Sequence, residues 1–432
     1  MVIRIPEKFR KICWTVLIIQ MVDYFGGRAQ LIFFFSIAAI IMMCITGRKI
    51  VRPELSGMRL YAIAIVVMMC YGLFFFEPEK YTKGVYHILP SVIVMVLGYY
   101  ICYVYPNKSL VLTSAVTMIL MLIHLVYASA FTISSISGLD DMRNHFSGGA
   151  SLFLFLLAIV MNARILNKRI ILGKRIDIIL IIIGIIRIVI SLNRSTIMAF
   201  VVSTALMGLS SIFINRKNAI RRTLILLATT AALMFLAFSL LPSQASNEFF
   251  DKVDNSSKEI NSEQEFSSGS DVLKNWRGYE ISKAKKQWLN YNFVEMIIGG
   301  GIQKYTKMED LPRDMKENQE SMVNNESPIL HNGYYTLLVK GGLLAVIGYI
   351  VFLIYPLYAI IRKKTNAYNK EILITLIGIN AIMAVLTYVV RGMISQSVLT
   401  TYALSVGWLS CRLYNQKDNE NQEVQESEVK NE

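Results

Sequence analysis

Apolar residues fall along this chain in long unbroken runs separated by short polar connections. In order, the runs cover Ile12–Tyr24, Ala29–Thr46, Met58–Phe76, His87–Tyr105, Ser109–Phe131, Gly149–Ile165, Ile176–Leu192, Ser195–Ile214, Thr223–Leu241, Thr336–Ile361, Ile372–Val390 and Ile394–Cys411. Most approach the ~20 residues a helix needs to cross a bilayer core, and none alternates with the period of two of a lipid-facing strand. In lipid every backbone N–H and C=O must be bonded within the chain, which leaves helices as the only spanning structure for such runs. The pattern predicts an all-α protein, a polytopic integral membrane helical bundle of about twelve transmembrane helices with one large extracytoplasmic loop. The first run is short and carries Asp23, so a re-entrant or interfacial helix ahead of Ala29 is the alternative there.

One stretch breaks the pattern. Ser243–Asn332 is polar, lies between two hydrophobic blocks, and ends in His331-Asn332 where hydrophobicity resumes. The chain therefore divides into N-terminal transmembrane helices (1–242), the large loop (243–332), C-terminal transmembrane helices (333–413) and a polar, acidic tail (414–432) expected to be disordered in the cytoplasm. Within the loop, Asn247–Asp271 is rich in Ser, Asn, Glu and Lys and reads as mobile surface chain. From Val272 to Asn290, Leu273, Trp276, Ile281, Ala284 and Trp288 approximate one helical face while Lys274, Lys283, Lys285 and Lys286 lie elsewhere. That spacing predicts an amphipathic helix resting at the membrane interface with tryptophan anchors. Gly299-Gly300-Gly301 predicts a sharp turn; no Lys-Ser/Thr follows, so it is not a nucleotide loop.

Charge then assigns sides. Connections holding Arg4, Lys8, Arg10 and Lys11, then Arg48, Lys49, Arg52 and Arg59, Lys108, the Arg164–Arg175 cluster, the Arg216–Arg222 cluster and Arg362–Lys370 alternate with short connections that contain only Arg28, Lys80, Lys83, Arg143, Arg194 and Arg391. The positive-inside bias places both termini in the cytoplasm and Ser243–Asn332 outside. Composition agrees, since 54% hydrophobic and 17% charged residues in 432 give more apolar length than a soluble core needs. The net charge of +14 is mostly this loop bias, and no aromatic-interleaved basic domain points to nucleic acid. All five cysteines fall within predicted spans, so neither a disulfide framework nor a thiolate metal site is expected. The basic N-terminus and first apolar run lack a small-residue cleavage site, and the run is expected to be retained as a span.

Candidate chemistry concentrates on the outer side. His331 is the one histidine of the loop and stands at the mouth of a helix that continues through Tyr335, Leu338 and Gly342 on one face. Arg187 lies within the span Ile176–Leu192 and Arg194 follows seven residues later, predicting one shared helix face with about 10 Å between them. With Arg277 and Arg391 they make four cations with few carboxylates nearby, and the planar fork of arginine suits phosphate. His124 reads as a buried polar contact within a span, and His87 and His145 as loop residues.

Ser191-Leu-Asn-Arg194-Ser-Thr between two runs, Arg277 in the loop, Ile297-Ile-Gly-Gly-Gly301, and His331-Asn-Gly-Tyr-Tyr335 with Gly341-Gly342-Leu-Leu follow one another in this chain. In that order they resemble the O-antigen ligase and O-antigen polymerase superfamily. The chain departs from the family pattern in carrying Ser195 where a glycine is usual, and in a longer, more charged stretch between Gly301 and His331. The resemblance implies a glycosyltransferase of the bacterial cytoplasmic membrane that uses no nucleotide sugar, cofactor or metal. Its donor would be an oligosaccharide on a polyprenyl diphosphate at the outer leaflet. Arg194 and Arg277, with Arg187 and Arg391, would hold the diphosphate, His331 would activate the acceptor hydroxyl, and Asn332 and Tyr335 would line the substrate site. Polymerisation of repeat units into O-antigen or capsular polysaccharide is the expected activity, with a chain-length regulator and a flippase as implied partners. A ligase, differing only in acceptor, and a transporter of a lipid-linked or anionic sugar are the alternatives.

Overall fold

The computed structural model of the protein describes residues 7–26, 29–45, 55–132, 146, 148–214, 217–240, 272, 275–308, 325–362, 367–394 and 400–414. Of it, 83% is helical, with almost no strand. The helices are α1 (Glu7–Arg10), α2 (Trp14–Gly26), α3 (Ala29–Ile45), α4 (Arg59–Leu73), α5 (Pro78–Val104), α6 (Leu110–Thr132), α7 (Ala150–Met161, prolonged by a π-helical turn Asn162–Leu166), α8 (Lys174–Ile190), α9 (Arg194–Ser210) and α10 (Lys217–Leu240). After them come α11 (Trp276–Leu289), α12 (Phe293–Ile298), a ribbon of β1 (Thr306–Lys307) antiparallel to β2 (Glu326–Ser327), α13 (Gly333–Arg362), α14 (Ala367–Val390) and α15 (400–414).

Each apolar run coincides with a helix, but four helical stretches among the described residues are long and apolar enough to cross a membrane: Pro78–Val104, Leu110–Ala130, Gly333–Arg362 and Tyr368–Val390. Others are shorter than the expectation of about twelve full spans requires, with 13 residues in α2, 15 in α4 and 17 in α9. Local chemistry cuts them. Glu77 precedes a proline and is extended (φ −111°, ψ 107°), which separates α4 from α5. Pro78 at the helix start and the Lys83–Glu79 pair at 2.7 Å support a first turn that apolar periodicity does not mark. As a result α5 begins at Pro78 rather than His87, and His87, expected in a loop, is helical. His145, Arg143, the whole 247–271 stretch and the tail beyond Tyr414 lie outside the described residues.

The bundle is knit by small residues and buried amides. α9 runs antiparallel to α14, with Ser203 Oγ donating to the Gly378 carbonyl at 2.9 Å and Met207 packed over Gly378. Asn380 on α14 donates to the Leu353 carbonyl of α13 at 3.0 Å and accepts from Tyr402 of α15 at 2.9 Å, so three helices share one polar contact in an apolar core. At one end of the bundle cations collect: Arg169 pairs with Glu371 at 2.8 Å, Arg222 donates to the Ile165 carbonyl at 2.8 Å, and Asp177 accepts from Ile171, Leu172 and Gly173. These are connections in which the sequence concentrates Lys and Arg.

The other end carries α11, α12 and the ribbon, which pack on α4 and α13. Here α13 breaks. Gly342 (φ 61°, ψ −161°) interrupts the helix, and the carbonyls stranded before the break accept from the glycine turn: Gly300 N donates to the Val339 carbonyl at 3.0 Å and Gly301 N to that of Lys340 at 2.9 Å. Ile302 N continues to the Met68 carbonyl of α4 at 3.1 Å. A Cβ on Gly299 (φ 78°) would stand 2.3 Å from Gly341 N, so the close approach requires glycine. Lys340, 1% exposed, turns its ammonium back onto the segment that follows the glycine turn, donating to the Ile302 and Lys304 carbonyls at 2.8 Å each beneath the Tyr305 ring.

The predicted interfacial helix is α11, but its apolar face turns into the protein. Tyr279 and Ala284 pack with Val272, Met308, Leu330 and Val339. The half-buried tryptophans make contacts within the protein: Trp276 Nε1 donates to Glu280 and Trp288 Nε1 to the Met296 carbonyl at 3.1 Å.

Candidate functional site

His331 stands just before α13, and each of its polar groups except Nε2 is occupied. Its backbone N–H donates to Glu280 Oε2 at 2.8 Å, and its Nδ1 lies 3.1 Å from both carboxyl oxygens. Its carbonyl accepts from Arg391 N at 2.6 Å. Glu280, 2% exposed, also accepts from Trp276 Nε1 at 2.9 Å. Two of those donors can only donate, so the carboxylate acts as acceptor throughout and fixes the tautomer with the proton on Nδ1. Nε2 has no hydrogen-bond partner among the described residues and belongs to a side chain 34% exposed. An oriented imidazole with a free basic nitrogen, backed by a buried carboxylate, is suited to accept a proton from a hydroxyl.

The turn that presents His331 follows from local capping. Asn332 Oδ1 accepts from Tyr334 N at 3.1 Å and Tyr335 N at 3.3 Å, which starts α13, and Leu330 N donates to Thr336 Oγ1 at 3.0 Å. Asn332, expected at the substrate, is 3% exposed and serves as this cap. Tyr335 lies against the cluster under α11.

The arginines divide. Arg391 (φ 75°) is joined to His331 through its backbone. Arg277 sits on α11 one turn before Glu280. Arg194 opens α9; stepping back nine residues from the Ser203–Gly378 contact along antiparallel helices brings it level with Thr387, which abuts Gly333 and precedes Arg391. These three share the end of the bundle that carries His331. Arg187, at the same end of the α8–α9 hairpin as Arg194, is held by other partners. It closes α8, 3% exposed, beside Tyr24, with Nη2 on the Gly148 carbonyl at 2.8 Å and the guanidinium 4.8 Å over Phe153. Tyr24 in turn meets His124 Nδ1 at 2.9 Å, the polar contact expected of that histidine. Arg187 and Arg194 do not share a helix face. The helix ends at Ile190, Leu192 is left-handed (φ 47°), and Asn193 caps α9 by accepting from Ser195 N at 3.2 Å.

Sequence reasoning missed Glu280 and Lys340. A signal existed for both: Glu280 is a carboxylate spaced four from Trp276 and Ala284, on the apolar side of its helix, and Lys340 is a lone cation inside an apolar run. The chain matches no protein-family model and no curated protein.

Proposed function

We propose that this chain is a membrane glycosyltransferase that joins polyprenyl-diphosphate-linked oligosaccharide repeat units into O-antigen or capsular polysaccharide. The observation that carries the reading is the Glu280–His331 pair, a preorganised base at the end of the bundle where Arg194, Arg277 and Arg391 also lie. In the proposed reaction an acceptor hydroxyl attacks the anomeric carbon as its proton passes to His331 Nε2. The bond to the diphosphate breaks, and the diphosphate leaves with charge that the arginines stabilise. A single displacement of this kind inverts the anomeric configuration. We assign the setting from the charge bias: about twelve crossings of a bacterial cytoplasmic membrane, both termini inside, the His331 end outside.

The test is extension of polyprenyl-linked repeat units by purified protein, read as a ladder of chain lengths. Wild type is expected to give a ladder and His331→Gln at equal protein level none, with a loss of about a hundred- to ten-thousandfold, the usual contribution of a positioned base. A normal ladder from His331→Gln removes the base from the mechanism, and no ladder from the wild type overturns the enzyme reading in favour of a transporter.

A further inference from the structure

Beside α11 lies a cavity of about 230 Å³ walled by Lys283, Lys286, Lys304 and Lys307 together with Gln287, Asn290 and Tyr291. Among the described residues its lining carries four lysines and no carboxylate, an arrangement that raises local positive potential and concentrates anions. The cavity is built rather than incidental, because one side chain ties its walls together. Gln287 on α11 accepts from Lys307 N at 2.9 Å, and its amide donates to the Tyr305 carbonyl at 3.1 Å and the Tyr291 hydroxyl at 3.2 Å. Tyr291 donates onward to the Val339 carbonyl at 3.1 Å, and burial pushes its phenol up to about 12, so the proton stays. Behind the wall, the buried Lys340 ammonium holds the Lys304 carbonyl at 2.8 Å, and Lys283 is steadied 5.2 Å over the Tyr279 ring.

Lysines are compact point charges on flexible stems and suit carboxylates whose position varies, whereas bidentate recognition of one fixed group would favour arginine. Asn290 adds an amide able to meet a sugar hydroxyl. We infer that this four-lysine pocket is a second saccharide site, which takes an acidic sugar by its carboxylate. The inference rests on the proposed function for the sugar and on the lysines alone for the charge. It places acidic residues in the polymer or acceptor on which this chain acts, held on the same helix that carries Glu280.

Full-length protein in nanodiscs of uncharged phosphatidylcholine would be titrated with a hexagalacturonate and, in parallel, with maltohexaose. The acidic chain is expected to bind at least about tenfold more tightly, with affinity falling as salt rises. The double variant Lys286→Glu with Lys307→Glu changes two exposed side chains, should melt with the wild type, and is expected to lose about tenfold or more for the acidic chain only. Equal binding of the two saccharides, or acidic binding unchanged in the double variant, overturns the inference. So does loss of acidic binding when phosphatidylglycerol is added to the disc, which would make the pocket a seat for lipid headgroups. The two proposals fail separately. Charge-selective binding by a protein that makes no polymer leaves the pocket standing and sinks the enzyme, while a normal ladder without charge selectivity sinks the pocket alone.

Discussion

At the scale of the residue, Glu280 decides how His331 behaves. It accepts three N–H groups, so a change to Gln offers one acceptor oxygen fewer and sets an NH2 against donors. We expect Glu280→Gln to fold, to bind donor with little change in KM, and to lose roughly ten- to a thousandfold in kcat because the imidazole loses its fixed tautomer. Equal kcat in a quantitative extension assay would show the carboxylate to be packing alone. The arginines carry a different expectation. If Arg194 and Arg277 grip a diphosphate by forked hydrogen bonds, Lys keeps the charge but not the fork. Each Arg→Lys change should then cost on the order of 2–4 kcal/mol of transition-state stabilisation, tens to about a thousandfold in rate. Near-normal polymer from Arg194→Lys and Arg277→Lys strains would leave both residues as ordinary boundary cations. His331 could be singled out from sequence because it stood where polarity gave way to an apolar run. Its partner could not, since Glu280 lies fifty-one positions away and only tertiary packing joins them.

At the scale of the element, capping and glycine explain what periodicity left out. Hydrophobic runs located the helices, but the boundary between α8 and α9 depends on Asn193 and left-handed Leu192, and overlooking that cap merged Arg187 and Arg194 onto one imagined face. The glycine turn was legible as a turn. Its destination was not, because nothing in the run Gly333–Arg362 distinguishes a continuous helix from one broken at Gly342 except the two glycines themselves. The insertion makes a sharp prediction. Gly299→Ala puts a methyl 2.3 Å from backbone atoms of Lys340 and Gly341 at a positive φ, and should destabilise the detergent-solubilised protein by about 2–4 kcal/mol. Gly148→Ala, whose Cβ would meet nothing within 4 Å, should stay within about 0.5 kcal/mol. Comparable melting temperatures for the two variants would mean that the break tolerates a side chain and that the turn is not seated as described.

At the scale of the whole molecule, the segregation of cations predicts how the protein sits. Single cysteines at Ser256 and Gln319 should react with an impermeant maleimide in intact cells, and one at Asn415 only after permeabilisation. Labelling of Ser256 solely from the cytoplasm would invert the orientation and remove the outer-leaflet assignment. The helical architecture was legible because a bilayer demands long apolar runs. Helix length was less so, since turns and caps trim each run. The broken helix has a consequence for how the chain is made. Translation proceeds from the N-terminus, so Gly299–Ile302 leaves the ribosome before Lys340 and Gly342 do. The donors that satisfy the Val339 and Lys340 carbonyls are therefore already synthesised when the interrupted helix arrives, and the half-helix that follows His331 need never enter lipid with bare carbonyls.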